Sequence, residues 1–180
     1  MSLTSRDVTA RYDELAELVV DVERRGPGDV ALVAEAATLV AHEARLLAAR
    51  RYDEWLAGWS DDAVLWVPMV PTHPAADQSL LLDDRRRLAE RVRWRAEPSA
   101  WGQQPPSRTT RVVGSVEAWR SGDRVIVRSG LVLHEHRRAR AQLLVGHQIH
   151  EFVDEASRCR TKILLLPQLS LGIRNPSFLL

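Results

Sequence analysis

The chain has 180 residues, of which 45% are hydrophobic and 27% charged, and its formal net charge is +1. This length predicts one globular domain with a sizeable core, and the small net charge argues against a molecule that binds nucleic acid or a membrane through its overall field. The single cysteine, Cys159, excludes an intrachain disulfide and a cysteine-held metal cluster; with no signal-like start and no apolar run of about 18 residues, a cytoplasmic location is expected.

Helical patterns dominate the first half of the chain. Residues 1–29 mix charged and small residues and predict an N-terminal arm, partly helical within DELAELVVDVERR, before a domain of residues 30–180. Apolar residues at spacings of three and four predict helix over residues 30–59, as a long segment followed by the short YDEWLAGW. LLLDDRRRLAERVRWR predicts another helix over residues 80–95.

Trp55, Trp59 and Trp66, three of the six tryptophans, lie close together in the sequence. Trp55 and Trp59 fall on one side of the short helix and are predicted to anchor it. The apolar run AVLWVPM around Trp66 predicts a strand that is covered on both faces. Asp61 and Asp62 predict a turn before that strand. We therefore interpret this stretch as a structural corner rather than a catalytic site.

A different pattern begins at residue 108. Alternating segments up to about residue 166, separated by RSGDR, RRAR and DEAS, predict four antiparallel strands. Helices followed by strands predict an α+β fold with helices on one face of a sheet. Residues 167–180 form an apolar C-terminal tail in which only Arg174 is charged, and such a tail needs a surface of its own domain or of a neighbour to pack on.

Gly114, Gly130 and Gly146 fall within predicted strands at intervals of sixteen residues. Turns centred on Gly122 and Arg138 would align these three glycines across three strands. Glycine within a strand marks a bend or a bulge, so the row predicts a crease in a strongly curved sheet that wraps over the helices as a cone. The first of these strands fits the register less well, which a bulge would explain.

The same pairing assigns side chains to two faces of the sheet. Ser129 and His147 are predicted to oppose each other on the helix-covered, concave face. The other face mixes polar and apolar side chains, which is typical of contact with another chain. The predicted interface residues are Arg128, His134, His136, Gln148 and His150 on that face, Arg85, Arg86 and Arg87 on the charged helix, and Phe178 in the tail.

Few residues are candidates for catalysis or metal binding. His147 would be a general base, with Asp62 as a second acid–base group, if it faced a cavity; a histidine on an apolar face is more commonly a core residue bonded to a neighbour. His134 and His136 have a spacing that suits a metal, but no acid follows where a cupin would have one. We predict neither a metal site nor a catalytic residue in this chain.

Four segments, in this order, resemble the β (small) subunits of bacterial aromatic-ring-hydroxylating dioxygenases. They are EARLLAARRYDEWLAGWSDDAVLWVPM, LLLDDRRRLAERVRW, PPSRTTRVVGSVE and ILLLPQLSLGIRNPSFLL. The resemblance covers roughly residues 31–180. The first 30 residues have no counterpart in it, and LLVGHQIHEFVDEASRCRTK is similar only loosely.

The resemblance implies a cone-shaped α+β fold of the cystatin-like, nuclear-transport-factor-2-like type. It implies self-association as a trimer and assembly with an α subunit as α3β3. The α subunit would carry a Rieske [2Fe–2S] cluster and a mononuclear non-haem iron, and this chain no cofactor. The holoenzyme would be an NAD(P)H- and O2-dependent oxidoreductase in the catabolism of aromatic compounds, with the β chain in a structural role.

A second function of a different class is an isolated cone-fold isomerase or dehydratase that uses His147 and Asp62 in its cavity. A trimer would favour the subunit, and a monomer or dimer the isolated enzyme. A cone interior filled by the chain's own Trp and Leu side chains would also count against the enzyme.

Overall fold

The computed structural model describes residues 5–70, 79–96, 105–153 and 158–172. In chain order the elements are α1 (Ser5–Arg24), α2 (Val30–Ala48), α3 (Tyr52–Ala57), β1 (Trp59–Pro68), β2 (Ser79–Asp84), α4 (Arg85–Ala96), β3 (Arg108–Ser121), β4 (Arg124–Arg137), β5 (Arg140–Val153), β6 (Arg158–Leu165) and a 3-10 helix (Pro167–Leu171).

The six strands form one curved, unclosed sheet in the order β2-β1-β6-β5-β4-β3. The predicted meander over residues 108–166 is confirmed as β3 to β6, with antiparallel pairing throughout. The sheet continues beyond β6 into β1, which runs parallel to β6, and then into antiparallel β2. The α+β class is confirmed, although one pairing of the sheet is parallel rather than antiparallel.

The main core lies between the sheet and helices α2, α3 and α4. Trp55 and Trp59 are both buried there, with their rings 5.0 Å apart in an edge-to-face contact. The same cluster contains Leu65 of β1, Leu88 of α4 and Leu133 of β4. A contiguous cluster that draws on both layers is what holds a helix layer on a sheet.

Helix α1 packs on the opposite face of the sheet. Its buried side, which includes Tyr12, Leu15 and Val19, joins a second cluster with Trp66 and Ile149. Alternation along β1 therefore sends neighbouring side chains into two separate clusters, and the prediction that this strand is covered on both faces is confirmed. The segment predicted as an arm over residues 1–29 thus contains a helix that covers part of the sheet.

Three local predictions are wrong. Trp59, predicted on the short helix, is the first residue of β1, because α3 ends at Ala57. The predicted helix over residues 80–95 begins later, because SLLLDD pairs with β1 as strand β2. The helix starts after Asp84, whose Oδ1 accepts a hydrogen bond from the backbone N–H of Arg87 at 2.8 Å, as an N-terminal cap does. Asp61 and Asp62 lie within β1 and not in a turn, at an irregularity in its pairing with β6.

The predicted glycine row is partly confirmed. Gly114 lies opposite Gly130, and the bulge expected in this strand follows at once, with Ser115 at a φ of 49°. Gly146 lies opposite Leu131 instead, because the turn between β4 and β5 has two residues and is therefore centred after Arg138. A register slip of one residue moves every side chain of a strand to the other face, so the predicted faces of β5 are exchanged.

Candidate subunit interface and buried polar network

The exchanged faces of β5 bring different polar residues into the concave core. Gln148 and His150 are 2% and 1% exposed, so the prediction that they lie on the outer face is wrong. Gln148 Nε2 donates to Ser129 Oγ at 3.1 Å, so Ser129 has the buried partner that was predicted for it, but this partner is Gln148 and not His147. The ring of His150 is stacked on Phe152, with their centroids 5.5 Å apart.

His150 belongs to a polar network centred on Glu43 of α2. Glu43 Oε2 accepts from His150 Nε2 at 2.9 Å and from Lys162 Nζ at 2.7 Å, while its Oε1 accepts from Trp55 Nε1 at 2.9 Å. The side chains of Glu43 and Lys162 are 14% and 4% exposed. The network therefore joins α2, α3, β5 and β6 through one carboxylate whose two oxygens are both occupied by donors.

Burial and charge act in opposite directions on the pKa values in this network. Burial opposes the ionisation of Glu43, but the positive charge of Lys162 and the hydrogen bonds of His150 and Lys162 outweigh it and hold the pKa of Glu43 well below its usual value. Burial lowers the pKa of His150, and the neighbouring Glu43 offsets only part of this effect. We assign His150 as a neutral ring whose Nε2–H points to Glu43, which leaves Nδ1 buried without a hydrogen-bond partner.

Two arginines lie beside this network. Arg95 Nη1 donates to Tyr52 Oη at 2.9 Å, and its guanidinium carbon lies 4.8 Å from the centre of the Tyr52 ring. Arg111 Nη1 donates to Thr109 Oγ1 at 2.9 Å, and burial lowers the pKa of Arg111 to about 10. These contacts, like those of Glu43, connect polar groups of the chain to one another and suit a structural role.

His147 and Asp62, the candidate acid–base pair, are not brought together. His147 is exposed on the outer face, where burial and the charge of Arg128 lower its pKa. Asp62 lies at the start of β1, accepts from Ser60 Oγ at 2.8 Å and pairs with Arg160 at 2.7 Å. The prediction that His147 lies on the concave face is therefore wrong, and the alternative that depends on its facing a cavity inside the cone loses its base; the interior is occupied by buried side chains of the core.

The remaining predicted interface residues of the sheet are on its outer face. His134 and His136 are exposed, and Arg128 is half-buried between Glu23 of α1 and Glu117 of β3. Beyond the part covered by α1, this face also exposes three aliphatic side chains, Val112, Leu143 and Val145.

The charged helix α4 offers a second exposed surface. Arg86 and Arg87 are exposed, Arg86 pairs with Glu90 at 2.6 Å, and Arg85 is half-buried. An open groove of about 730 Å³ lies along α4, lined by Asp83, Arg87, Glu90, Arg91, Arg93 and Trp94. Phe178, the tail residue predicted at an interface, lies outside the described residues.

Within residues 5–70, 79–96, 105–153 and 158–172, no three His, Cys, Asp or Glu side chains gather as a metal site would require. In the same ranges, no helix has the length and apolar character needed to cross a membrane.

The Glu43–Lys162 pair was missed at the sequence level. Glu43 is three residues from Val40 and from Leu46, so it falls on the buried side of α2 among apolar positions. Lys162, the only lysine of the chain, is flanked by the apolar run ILLL. A lone acid and a lone base, each within an apolar pattern, were the available signal for a buried pair.

The curved sheet packed on helices defines the chain as an α+β protein. Comparisons with known proteins identify its family. The family described as "Ring hydroxylating beta subunit" matches residues 42–164. The chain is 30% identical over 136 residues to the small oxygenase component of the naphthalene 1,2-dioxygenase system of Pseudomonas aeruginosa, covering 69% of this chain and 67% of that protein. It is 33% identical over 111 residues to the N,N-dimethyl phenylurea N-demethylase subunit beta of Sphingobium sp. (strain YBL2), covering 57% of this chain and 63% of that protein.

Solved structures agree with the fold. A structure of naphthalene 1,2-dioxygenase with indole bound superposes with a TM-score of 0.70 at 21% identity, covering 92% of this chain and 89% of that chain. The β subunit of benzoate 1,2-dioxygenase from Burkholderia mallei superposes with a TM-score of 0.64 at 24% identity, covering 83% of this chain and 97% of that chain. An NTF2-like protein with a cystatin-like fold from Novosphingobium aromaticivorans superposes with a TM-score of 0.52 at 14% identity, covering 91% of this chain and 90% of that chain. These matches confirm the predicted cone-type fold.

The chain therefore belongs to the family of ring-hydroxylating β subunits, as its resemblance implied. The segments matched in the two curated relatives span about two thirds of each relative's length.

Proposed function

We propose that this chain is the β subunit of a bacterial Rieske-type aromatic-ring-hydroxylating dioxygenase and that its role is structural. The observation that carries the proposal is the family match over residues 42–164, on a chain whose polar core residues are bonded to one another. A β subunit of this kind supports an iron-containing α subunit, so it needs exposed binding surfaces more than an acid–base site.

The partner in this proposal is the α subunit, with α3β3 stoichiometry and self-association of the β chain as a trimer. The Rieske [2Fe–2S] cluster and the mononuclear iron belong to the α subunit, and the holoenzyme takes electrons from NAD(P)H to insert O2 into an aromatic ring. The exposed side chains of the outer sheet face and of α4 are the surfaces available for such contacts. We place the complex in the cytoplasm.

The isolated isomerase or dehydratase is less well supported. It would need His147 inside the cone, and His147 is on the outside. Trp55, Trp59 and several leucines fill the core between the helices and the sheet.

The experiment that tests this proposal is a pull-down of the tagged chain from its native host grown on aromatic carbon sources, followed by native mass spectrometry and a visible spectrum. A coloured complex with equal numbers of α and β chains is the expected result. A colourless homo-oligomer under every growth condition would contradict the subunit role. The His147→Ala variant is the negative control. If the chain is a β subunit, this change should leave the turnover of the dioxygenase complex unaltered, whereas an isolated enzyme that uses His147 would lose its own turnover.

A further inference from the structure

An aliphatic surface remains uncovered on the outer side of the sheet. Val112, Val132 and Val145 lie side by side across β3, β4 and β5, and Leu143 is two residues from Val145 on the same side of β5. Val112 is 60% exposed, Leu143 56% and Val145 42%, whereas Val132 is half-buried. We call these four residues the open sheet face. Three large aliphatic side chains exposed side by side on a sheet indicate a contact surface rather than a surface adapted to water.

The one charged side chain among the described outward positions of the open sheet face is basic. Arg108 is exposed there, and His134, His136 and His147 add exposed imidazoles at neighbouring positions of the same three strands. Among the described outward-facing positions of residues 108–114, 130–136 and 141–147 there is no carboxylate. An acidic surface would pair with Arg108, whereas a second open sheet face has no carboxylate to offer it. The complementary surface should be acidic at its edge and partly apolar.

Helix α1 presents such a surface on its outward side. Asp13, Glu17 and Val20 are spaced by four and three residues, so they lie on one side of the helix, and all three are exposed. We call them the outward stripe of α1. Asp13 and Glu17 form no ion pair with the described residues. Their neighbour Glu14, in contrast, is already paired with Arg11 and Arg160.

We propose that the open sheet face of one copy of this chain binds the outward stripe of α1 of a second copy. The contact joins two different surfaces, and each copy has both of them. Copies can therefore be added one after another until the last copy binds the first and closes a ring. This inference rests on the proposed self-association and identifies the two surfaces that make it. A trimeric ring would cover the sheet face of every copy with a helix from its neighbour.

Two variants separate the two surfaces. The face variant carries Leu143→Glu and Val145→Glu, and the helix variant carries Asp13→Lys and Glu17→Lys. All four positions are exposed, so the fold should survive, which circular dichroism and thermal unfolding would verify. The matched control for the helix variant carries Glu35→Lys and Asp61→Lys, which make the same change of charge at exposed positions of α2 and β1.

Sedimentation velocity of the full chain at about pH 7.5 measures self-association. We expect each interface variant to associate at least about a hundredfold more weakly than the wild type and the control, since each places like charges or a buried charge in the contact. Mixed one to one, the two interface variants should associate again, because the intact helix of one meets the intact face of the other and the two altered surfaces carry opposite charges.

The proposal fails if either interface variant keeps the wild-type mass, if the mixture stays monomeric, or if the wild-type chain is itself a monomer. These outcomes are distinct from failure of the subunit role, which is read from the capture of an iron-containing α chain by the wild-type protein. Capture of that chain by a wild-type monomer, and its loss in the face variant, would reassign the open sheet face to the α subunit.

Discussion

Glu43 and Lys162 form a salt bridge of 2.7 Å between helix α2 and strand β6, with side chains only 14% and 4% exposed. The only lysine of the chain is thus used inside the core, where it neutralises the carboxylate that also binds His150 and Trp55. A charge pair removed from water requires complete hydrogen bonding to be tolerated, and both oxygens of Glu43 are occupied. The pair therefore links helix α2 to strand β6 across the core, and Trp55 adds α3 to the same contact.

We predict that Lys162→Met destabilises the chain by about 3–5 kcal/mol, because Glu43 is then left as a buried charge without its cation. The double variant Glu43→Gln/Lys162→Met should lose less stability than the single variant, since it removes both charges. Urea unfolding measures both. Arg86→Met is the matched control, since it removes one partner of an exposed pair with Glu90 and should cost less than about 1 kcal/mol. A Lys162→Met variant as stable as the control would refute a structural role for the pair.

The pH dependence of stability should report the neutral state of His150. Its pKa in the folded chain is lowered from 6.5, so the unfolded chain binds a proton more readily than the folded one. The contribution of His150 is fully present above about pH 6.5 and is lost as the pH falls through that value towards the lower folded pKa. The pKa of Glu43 is also lower in the folded chain than its ordinary value of 4.5, so the free energy of unfolding falls further as the pH drops below about 4.5.

We therefore expect the free energy of unfolding to fall between about pH 7.5 and pH 5.5, and the fall to be smaller in His150→Gln, which still offers an N–H to Glu43 but does not titrate. His134→Gln, which replaces an exposed histidine on β4, is the matched control variant. Chemical denaturation at several pH values measures this. Equal slopes in wild type and His150→Gln would show that His150 is not held neutral in the fold.

The elements of this fold were largely predictable from sequence, but the register of β5 was not. Gly114 was correctly placed opposite Gly130, although the turn has two residues, because the bulge at Ser115 compensates for one residue. The next turn also has two residues and no bulge compensates, so Gly146 and every side chain of β5 were assigned to the wrong face. Whether a turn has an odd or even number of residues depends on the backbone at Arg138, whose φ is 58°, and composition does not reveal this.

The same register error misplaced the candidate site residues of β5. It put His147 inside and His150 outside, when the reverse is true, and it hid the partner of Glu43. Strand β2 was missed for a similar reason, since LLLDD is followed at once by helix-forming residues and its strand character comes from pairing with β1.

Trp66 should be essential for the packing of α1 on the sheet. It is fully buried, its ring is 5.0 Å from that of Tyr12 in an edge-to-face contact, and its Nε1 donates to Ser79 Oγ at 2.8 Å. We predict that Trp66→Ala destabilises the chain by about 3–5 kcal/mol, or prevents its assembly. Trp94→Ala removes a tryptophan that is 52% exposed and should cost about 0.5 kcal/mol or less. Thermal unfolding and size-exclusion chromatography measure the pair, and an unchanged melting temperature and size in Trp66→Ala would contradict the prediction.

The glycines of the sheet offer a steric test of its curvature. A Cβ atom at Gly146 would lie 2.1 Å from the backbone oxygen of Leu165, whereas a Cβ at Gly114 would meet nothing within 4 Å. Neither glycine has a left-handed backbone, so the difference between them is one of space alone. A backbone oxygen cannot rotate away as a side chain does, and Gly146→Ala must therefore push β5 and β6 apart at the end of their pairing. We predict a loss of at least about 2–3 kcal/mol for Gly146→Ala and a change within about 1 kcal/mol for Gly114→Ala. Urea unfolding of the two variants measures the difference, and equal stability would mean that β5 and β6 are further apart at this point than the structure has them.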